Sequence, residues 1–134
     1  MVKITGEYQG DLHCQAVHGP SGSVLNTDAP KDNQGKGEAF SPTDLVATAL
    51  ATCAATTMAI VARRHGVDLK GLRYEIVKEM SADAPRRITR LRLDIWMPEA
   101  AKALPKGLME NTAHACPVHK SLDAGVDKVV EFHW

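Results

Sequence analysis

Hydrophobic and polar positions alternate from the first residue. Val2, Ile4, Gly6 and Tyr8 interleave with Lys3, Thr5 and Glu7, a period of two that predicts a strand. After the turn "QGD", Leu12, Cys14 and Ala16 alternate with His13, Gln15 and Val17, predicting a second strand. "GPSGS" is a turn signal, and "VLN" follows as a short third strand. From Thr27 to Phe40 the periodicity stops and turn formers dominate, as in "TDAPKDNQGKGEAF". A stretch of this kind inside a compact domain is functional or disordered.

"SPTD" then opens a helix. Ser41 suits the N-cap, Pro42 the first helical position and Asp44 the first turn, where a carboxylate meets the positive end of the helix dipole. Gly66 suits the stop, with Arg63, Arg64 and His65 just before it. Leu45 to Ala62 is apolar or small all round, a pattern shared by membrane spans and by buried central helices. Thr48, Thr52, Thr56, Thr57 and many alanines dilute the hydrophobicity, and no second span follows, so a buried central helix is predicted. Its small residues allow close approach of another helix, including one from a second copy.

Arg73 to Met80 reads as a strand and "SADAPRR" as the turn after it. Thr89, Leu91, Leu93, Ile95 and Met97 alternate with Arg90, Arg92, Asp94 and Trp96 in the clearest strand of the chain, which Pro98 ends. "EAAKALPKGLMENTAHA" has helical periodicity, with Pro105 at a helix start or a kink. Val126 to Trp134 reads as the last strand. Strands, long helix, hairpin, helix, strand is an α+β order within one domain spanning residues 1–134.

A length of 134 residues supports one domain with a real core. Sixteen basic residues balance sixteen acidic ones, which removes the basic footprint that nucleic-acid binding needs. Aromatic content is only 4%, so aliphatic and alanine packing must build the core. The N-terminus has strand alternation in place of the apolar core of a secretory signal. Three cysteines cannot all pair within the chain, so a cytoplasmic protein with reduced thiols is expected.

Those thiols are the candidate chemistry. Cys116 precedes Pro117, which favours a helical first turn, so Cys116 falls at an N-cap. There the amides and the dipole would lower its pKa, with His114, His119 and Lys120 as further polarising groups. The competing reading is a buried structural cysteine. Cys53 lies mid-helix among alanines and threonines, where a small core residue is the plainer reading. Cys14, in a strand pattern, reads as core or half-buried. His114, Cys116 and His119, with Cys53 as a fourth, are suitable zinc ligands, though their spacing matches no zinc ribbon or finger. His13, His18, His65 and His133 receive no role.

Two long motifs, "SPTDLVATALATCAATTMAIVARRHGVDL" and "ACPVHKSL", resemble the OsmC/Ohr family (osmotically induced protein C and organic hydroperoxide resistance). The preceding "DAPKDNQGKGEAFSP" is similar to the loop that leads into that family's central helix. The resemblance implies an intertwined homodimer with two active sites at its interface and thiol peroxidase chemistry without metal, haem or other cofactor. It implies that Cys53 is the peroxidatic cysteine, that Cys116 resolves its sulfenic acid into a disulfide, and that a dithiol such as dihydrolipoamide reduces the pair. It also marks a departure. Active peroxidases of the family use an arginine from the N-terminal strand region and a glutamate at the opening of the helix. Here the first arginine is Arg63, and Thr43 stands where the glutamate would be. Lys31, Lys36 or a residue from the partner chain is a candidate for the cation. Glu38 is a candidate for the carboxylate, with Asp44 one position along from Thr43.

Overall fold

A computed structural model describes all 134 residues. The chain divides into two compact units, Met1–Val46 and Ala47–Trp134.

In the first unit, β1 (Ile4–Tyr8), β2 (His13–His18) and β3 (Val24–Asp28) form an antiparallel sheet in that order. The turn between β1 and β2 runs through Gly10, Asp11 and Leu12 at φ 83, 51 and 59, so Leu12 belongs to the turn and not to the strand expected from its alternation. Cys14 is exposed, contrary to the core or half-buried expectation. It pairs with Tyr8 and Thr27 on a sheet whose β1 positions are all exposed. The third strand outruns "VLN" and ends at Asp28, whose side chain is buried.

The following stretch is irregular but tightly held. It contains a short 3-10 turn, Lys31–Asn33, and Gln34 in the left-handed region at φ 67. Gly35 crosses so close to Ala29 that a Cβ there would stand 1.7 Å from the Ala29 carbonyl oxygen, a separation only glycine permits. Ser41 then starts helix α1 (Pro42–Arg64). The Asp44 amide donates to Ser41 Oγ at 3.1 Å, and the Ser41 amide donates to Asp44 Oδ2 at 2.9 Å, a reciprocal capping box.

The second unit contains the rest of α1, the antiparallel pair β4 (Arg73–Met80) and β5 (Ile88–Trp96), a 3-10 turn (Glu99–Ala103), α2 (Lys106–His114), α3 (Pro117–Ser121) and β6 (Asp127–His133). Pro105 stands at the N-cap of α2, so it starts that helix and does not kink a longer one. The sheet order is β4-β5-β6, and β6 runs parallel to β5. A parallel pair needs a crossover, and the segment carrying α2 and α3 is that crossover. Leu91, Leu93 and Ile95 point from β5 into a core closed by Leu50, Ala51, Ala54 and Met58 of α1 and by Met109 and Ala113 of α2.

Helix α1 differs from the expected all-round burial. Its buried residues, Ala47, Leu50, Ala51, Ala54, Met58 and Ala62, make one stripe at helical spacing. Thr52 and Thr56 are exposed, and Ile60 is 50% exposed. Length and composition alone would let this helix cross a membrane, but its buried stripe packs in the core of the second unit.

Candidate functional site

Cys116 sits where α2 gives way to α3. The chain leaves α2 through Ala115 and turns extended at Cys116 (φ −61, ψ 145), which caps α3 with Pro117 at its first position. Its Sγ accepts a hydrogen bond from the His119 amide at 3.4 Å. The residue is fully buried, at 0% exposure. The N-cap position expected from sequence is therefore present, but its expected effect on the thiol is reversed. Burial raises the Cys116 pKa above its ordinary value, and the neighbouring Cys53 thiol raises it further. The His119 amide, the largest influence after burial, and the Val118 amide lower it without cancelling the rise. Desolvation outweighs the helix end because a short α3 offers only its first-turn amides, while the whole thiolate would lose water.

Cys53 reaches the same place from α1. It is half-buried beside the buried stripe, and it neighbours Cys116, whose pKa it helps to raise. Both thiols are free. Thr57 lies one turn on, with its hydroxyl oxygen 4.0 Å from Cys53 Sγ. That hydroxyl donates to the Cys53 carbonyl at 2.7 Å, so its proton is already engaged.

Two histidines flank Cys116. The His114 and His119 rings meet edge to face at 5.4 Å between centroids. Burial lowers the His119 pKa, and the charges of His114, Lys128 and Lys120 lower it further. His119 is thus held toward the neutral imidazole at neutral pH. The four ligand atoms of the zinc reading do not converge. The group of three that does lies on β5 and β6: Asp94, Glu131 and His133, within 4.8 Å of one another. Arg92 already bridges its carboxylates, at 3.2 Å to Asp94 and 3.4 Å to Glu131.

The remaining candidates belong to the first unit. Asp44 is engaged in the capping box, and Thr43 Oγ1 lies 3.1 Å from Ser41 Oγ. Glu38 donates its amide to Asp28 Oδ2 at 2.9 Å. Glu38 and Lys36 line a cleft of about 330 Å³ with Asp11, His13 and Asp28, while Lys31 opens the 3-10 turn. His13, given no role from sequence, pairs with buried Asp28 through Nδ1 at 2.5 Å. This contact holds the Asp28 carboxyl below its usual value. The signal was the hairpin itself, because His13 and Asp28 face each other across β2 and β3.

Residues 35–131 match a family model described as OsmC-like protein. Among solved structures, the fold is similar to that of a Psychrobacter arcticus protein named for osmotic stress induction and a detoxification response. The two are 44% identical, with 98% of this chain and 94% of that one covered and a TM-score of 0.88. It is also similar to an organic hydroperoxide resistance protein OsmC from Legionella pneumophila (15% identity, 100% and 97% covered, TM-score 0.76). A third similar structure is the organic hydroperoxide resistance protein OhrB of Bacillus subtilis (17% identity, 99% and 98% covered, TM-score 0.67). At those two identities the likeness is one of fold. No curated protein matches the chain.

Proposed function

The chain belongs to the OsmC-like family, and on that footing we propose that it is a two-cysteine redox protein of stress defence that reduces organic hydroperoxides. The observation that carries this reading is the meeting of Cys53 and Cys116, remote in sequence, as interacting free thiols. The Cys53 thiolate attacks the distal peroxide oxygen, the O–O bond breaks and the alcohol leaves, so that Cys53 becomes a sulfenic acid. Cys116 then displaces the sulfenic oxygen as water and closes a disulfide. A dithiol of the dihydrolipoamide type reduces that disulfide by exchange. The half-exposed sulfur is the one that meets substrate, and the buried one resolves. No step calls for a metal or an organic cofactor.

The names of the Psychrobacter, Legionella and Bacillus proteins support a stress and hydroperoxide role. The reading places the protein in the cytoplasm as a homodimer with its sites at the interface. The open face of α1 around Thr52, Thr56 and Ile60 supports the second copy. In this reading Lys31, Lys36 or a partner residue supplies the activating cation, and Glu38 or Thr43 the polar support, Asp44 being engaged as the helix cap.

One observation favours a second reading, a redox sensor or small-molecule binder on the same fold. No arginine precedes Arg63, so the family's activator of the attacking thiolate has no counterpart of its own kind. Anaerobic titration of reduced protein with an organic hydroperoxide separates the two. Fast loss of two thiols per chain with a Cys53–Cys116 linkage, abolished by Cys53→Ser, is the expected result. Thiols that stay reduced under excess peroxide would leave the binding reading in possession.

A further inference from the structure

We propose that Asp94, Glu131 and His133, side by side on the outer face of the second sheet, form a binding site for a first-row divalent cation of the zinc type. The inference stands apart from the thiol reading. Asp94 lies between Leu93 and Ile95, which face the core and α1, so it stands on the opposite face of the sheet.

The strand register builds the site. Strands β5 and β6 run parallel, with Asp94 opposite Glu131 and Trp96 opposite His133. Glu131 and His133 are two apart on one strand, so both share the face of Asp94. One ligand atom from each of the three lies within 4.8 Å of the others. With metal–ligand bonds of about 2.0–2.2 Å, ligand atoms around one ion stand about 3–3.5 Å apart. His133 Nε2 and Asp94 Oδ1, 2.8 Å apart, need no closing movement. Glu131 needs only a small shift of a flexible, exposed side chain. The imidazole is also aimed. It stacks on Trp96 with centroids 4.8 Å apart and planes at 15°, and the Arg73 guanidinium stands 5.9 Å from the indole centroid. A ligand already held in place binds at lower entropic cost.

The donor set selects the class of ion. Carboxylates alone would suit calcium or magnesium, whereas an imidazole among them favours zinc and the first-row transition ions. Charge favours a cation as well. Glu75 faces Asp94 from β4, so three carboxylates share one row across the sheet. Like charges directly opposite each other destabilise a sheet. Arg92 now answers two of them, at 3.2 Å to Asp94 and 3.4 Å to Glu131. Its side chain is half-exposed, and exposed ion pairs contribute little, so the guanidinium yields its place at small cost. The ion then replaces the proton between Nε2 and Oδ1, the imidazole carries its proton on Nδ1, and β6 is tied to β5.

Trp96 reports on the site because it stacks on one of the ligands. Trp134→Phe leaves it as the only tryptophan. In that background, Ni2+ added to reduced protein should quench Trp96 fluorescence saturably, with one ion per chain and a Kd below about 1 mM. Zn2+ should reverse the quenching, and Mg2+ at the same concentration should not. Asp94→Asn and His133→Phe, the second keeping an aromatic ring against Trp96, should each weaken binding by at least about tenfold. Arg92→Met should tighten it by about threefold, a gain that a damaged fold cannot produce. Quenching that fails to saturate, or a midpoint that Asp94→Asn and His133→Phe leave unchanged, would overturn the inference. Either result leaves the thiol reading as it was, because neither cysteine takes part in the site.

Discussion

Asp44 separates two roles that the sequence leaves entangled, helix cap and auxiliary to the thiol. The structure gives its carboxylate the Ser41 amide at 2.9 Å, and Ser41 is only 2% exposed. Asp44→Ala removes that acceptor and the negative charge at the helix start. Loss of a cap contact costs about 1 kcal/mol. Loss of the charge adds about 0.5 kcal/mol. With an unfolding entropy of about 2.1 cal/mol/K per residue, 134 residues give about 0.28 kcal/mol/K, so ~1.5 kcal/mol lowers Tm by about 5 °C. Asp44→Asn keeps an acceptor oxygen and loses only the charge, so its Tm should fall by about 2 °C. Thermal unfolding followed by circular dichroism measures both, and peptide-resolved alkylation by iodoacetamide reports the reactivity of Cys53. The capping account requires the Tm losses together with an alkylation rate close to the parent's. An Asp44→Ala protein with parent-like Tm and Cys53 alkylation slowed about tenfold would refute it and make Asp44 the support of a cation that activates the thiol.

Other consequences are equally concrete. Met58 is fully buried in the core of the second unit, so Met58→Ala should cost about 2–5 kcal/mol in urea unfolding. Gly35→Ala would put its Cβ 1.7 Å from the Ala29 carbonyl oxygen, so the loop must rearrange and limited proteolysis within residues 29–40 should speed up about tenfold. His13 holds the Asp28 carboxyl below its ordinary value, 3.8. A carboxyl depressed on folding contributes stability above its unfolded pKa and loses it as pH falls through the folded one. Urea unfolding should therefore show an acid limb below about pH 4 that Asp28→Asn flattens. In reduced protein at neutral pH, exposed Cys14 and half-buried Cys53 should alkylate before Cys116, whose burial both hides the sulfur and raises its pKa. Peptide mapping over time would reveal the order.

The amino-acid sequence alone determined whatever depends on neighbours within a few residues. Ser41, Pro42 and Gly66 bracket α1, Leu91, Leu93 and Ile95 mark the inner face of β5, and Cys116 before Pro117 marks an N-cap, each as found. Caps and alternation are local, so a single segment carries the whole signal. The α+β class follows from the order of those segments. The expectation that Cys53 and Cys116 act together came from family resemblance, because no local pattern links residues so far apart. Tertiary structure alone decided three further matters. Strand β6 runs parallel to β5, a choice made by how the crossover packs. His13 meets Asp28 because the β2–β3 register sets them opposite each other. Cys116 is a harder thiol to ionise than its N-cap position implies, and His119 stays neutral among cations, because desolvation acts through every element packed around a group. Charge placement along the chain can be read from sequence, whereas the dielectric around each charge exists only once the chain has folded.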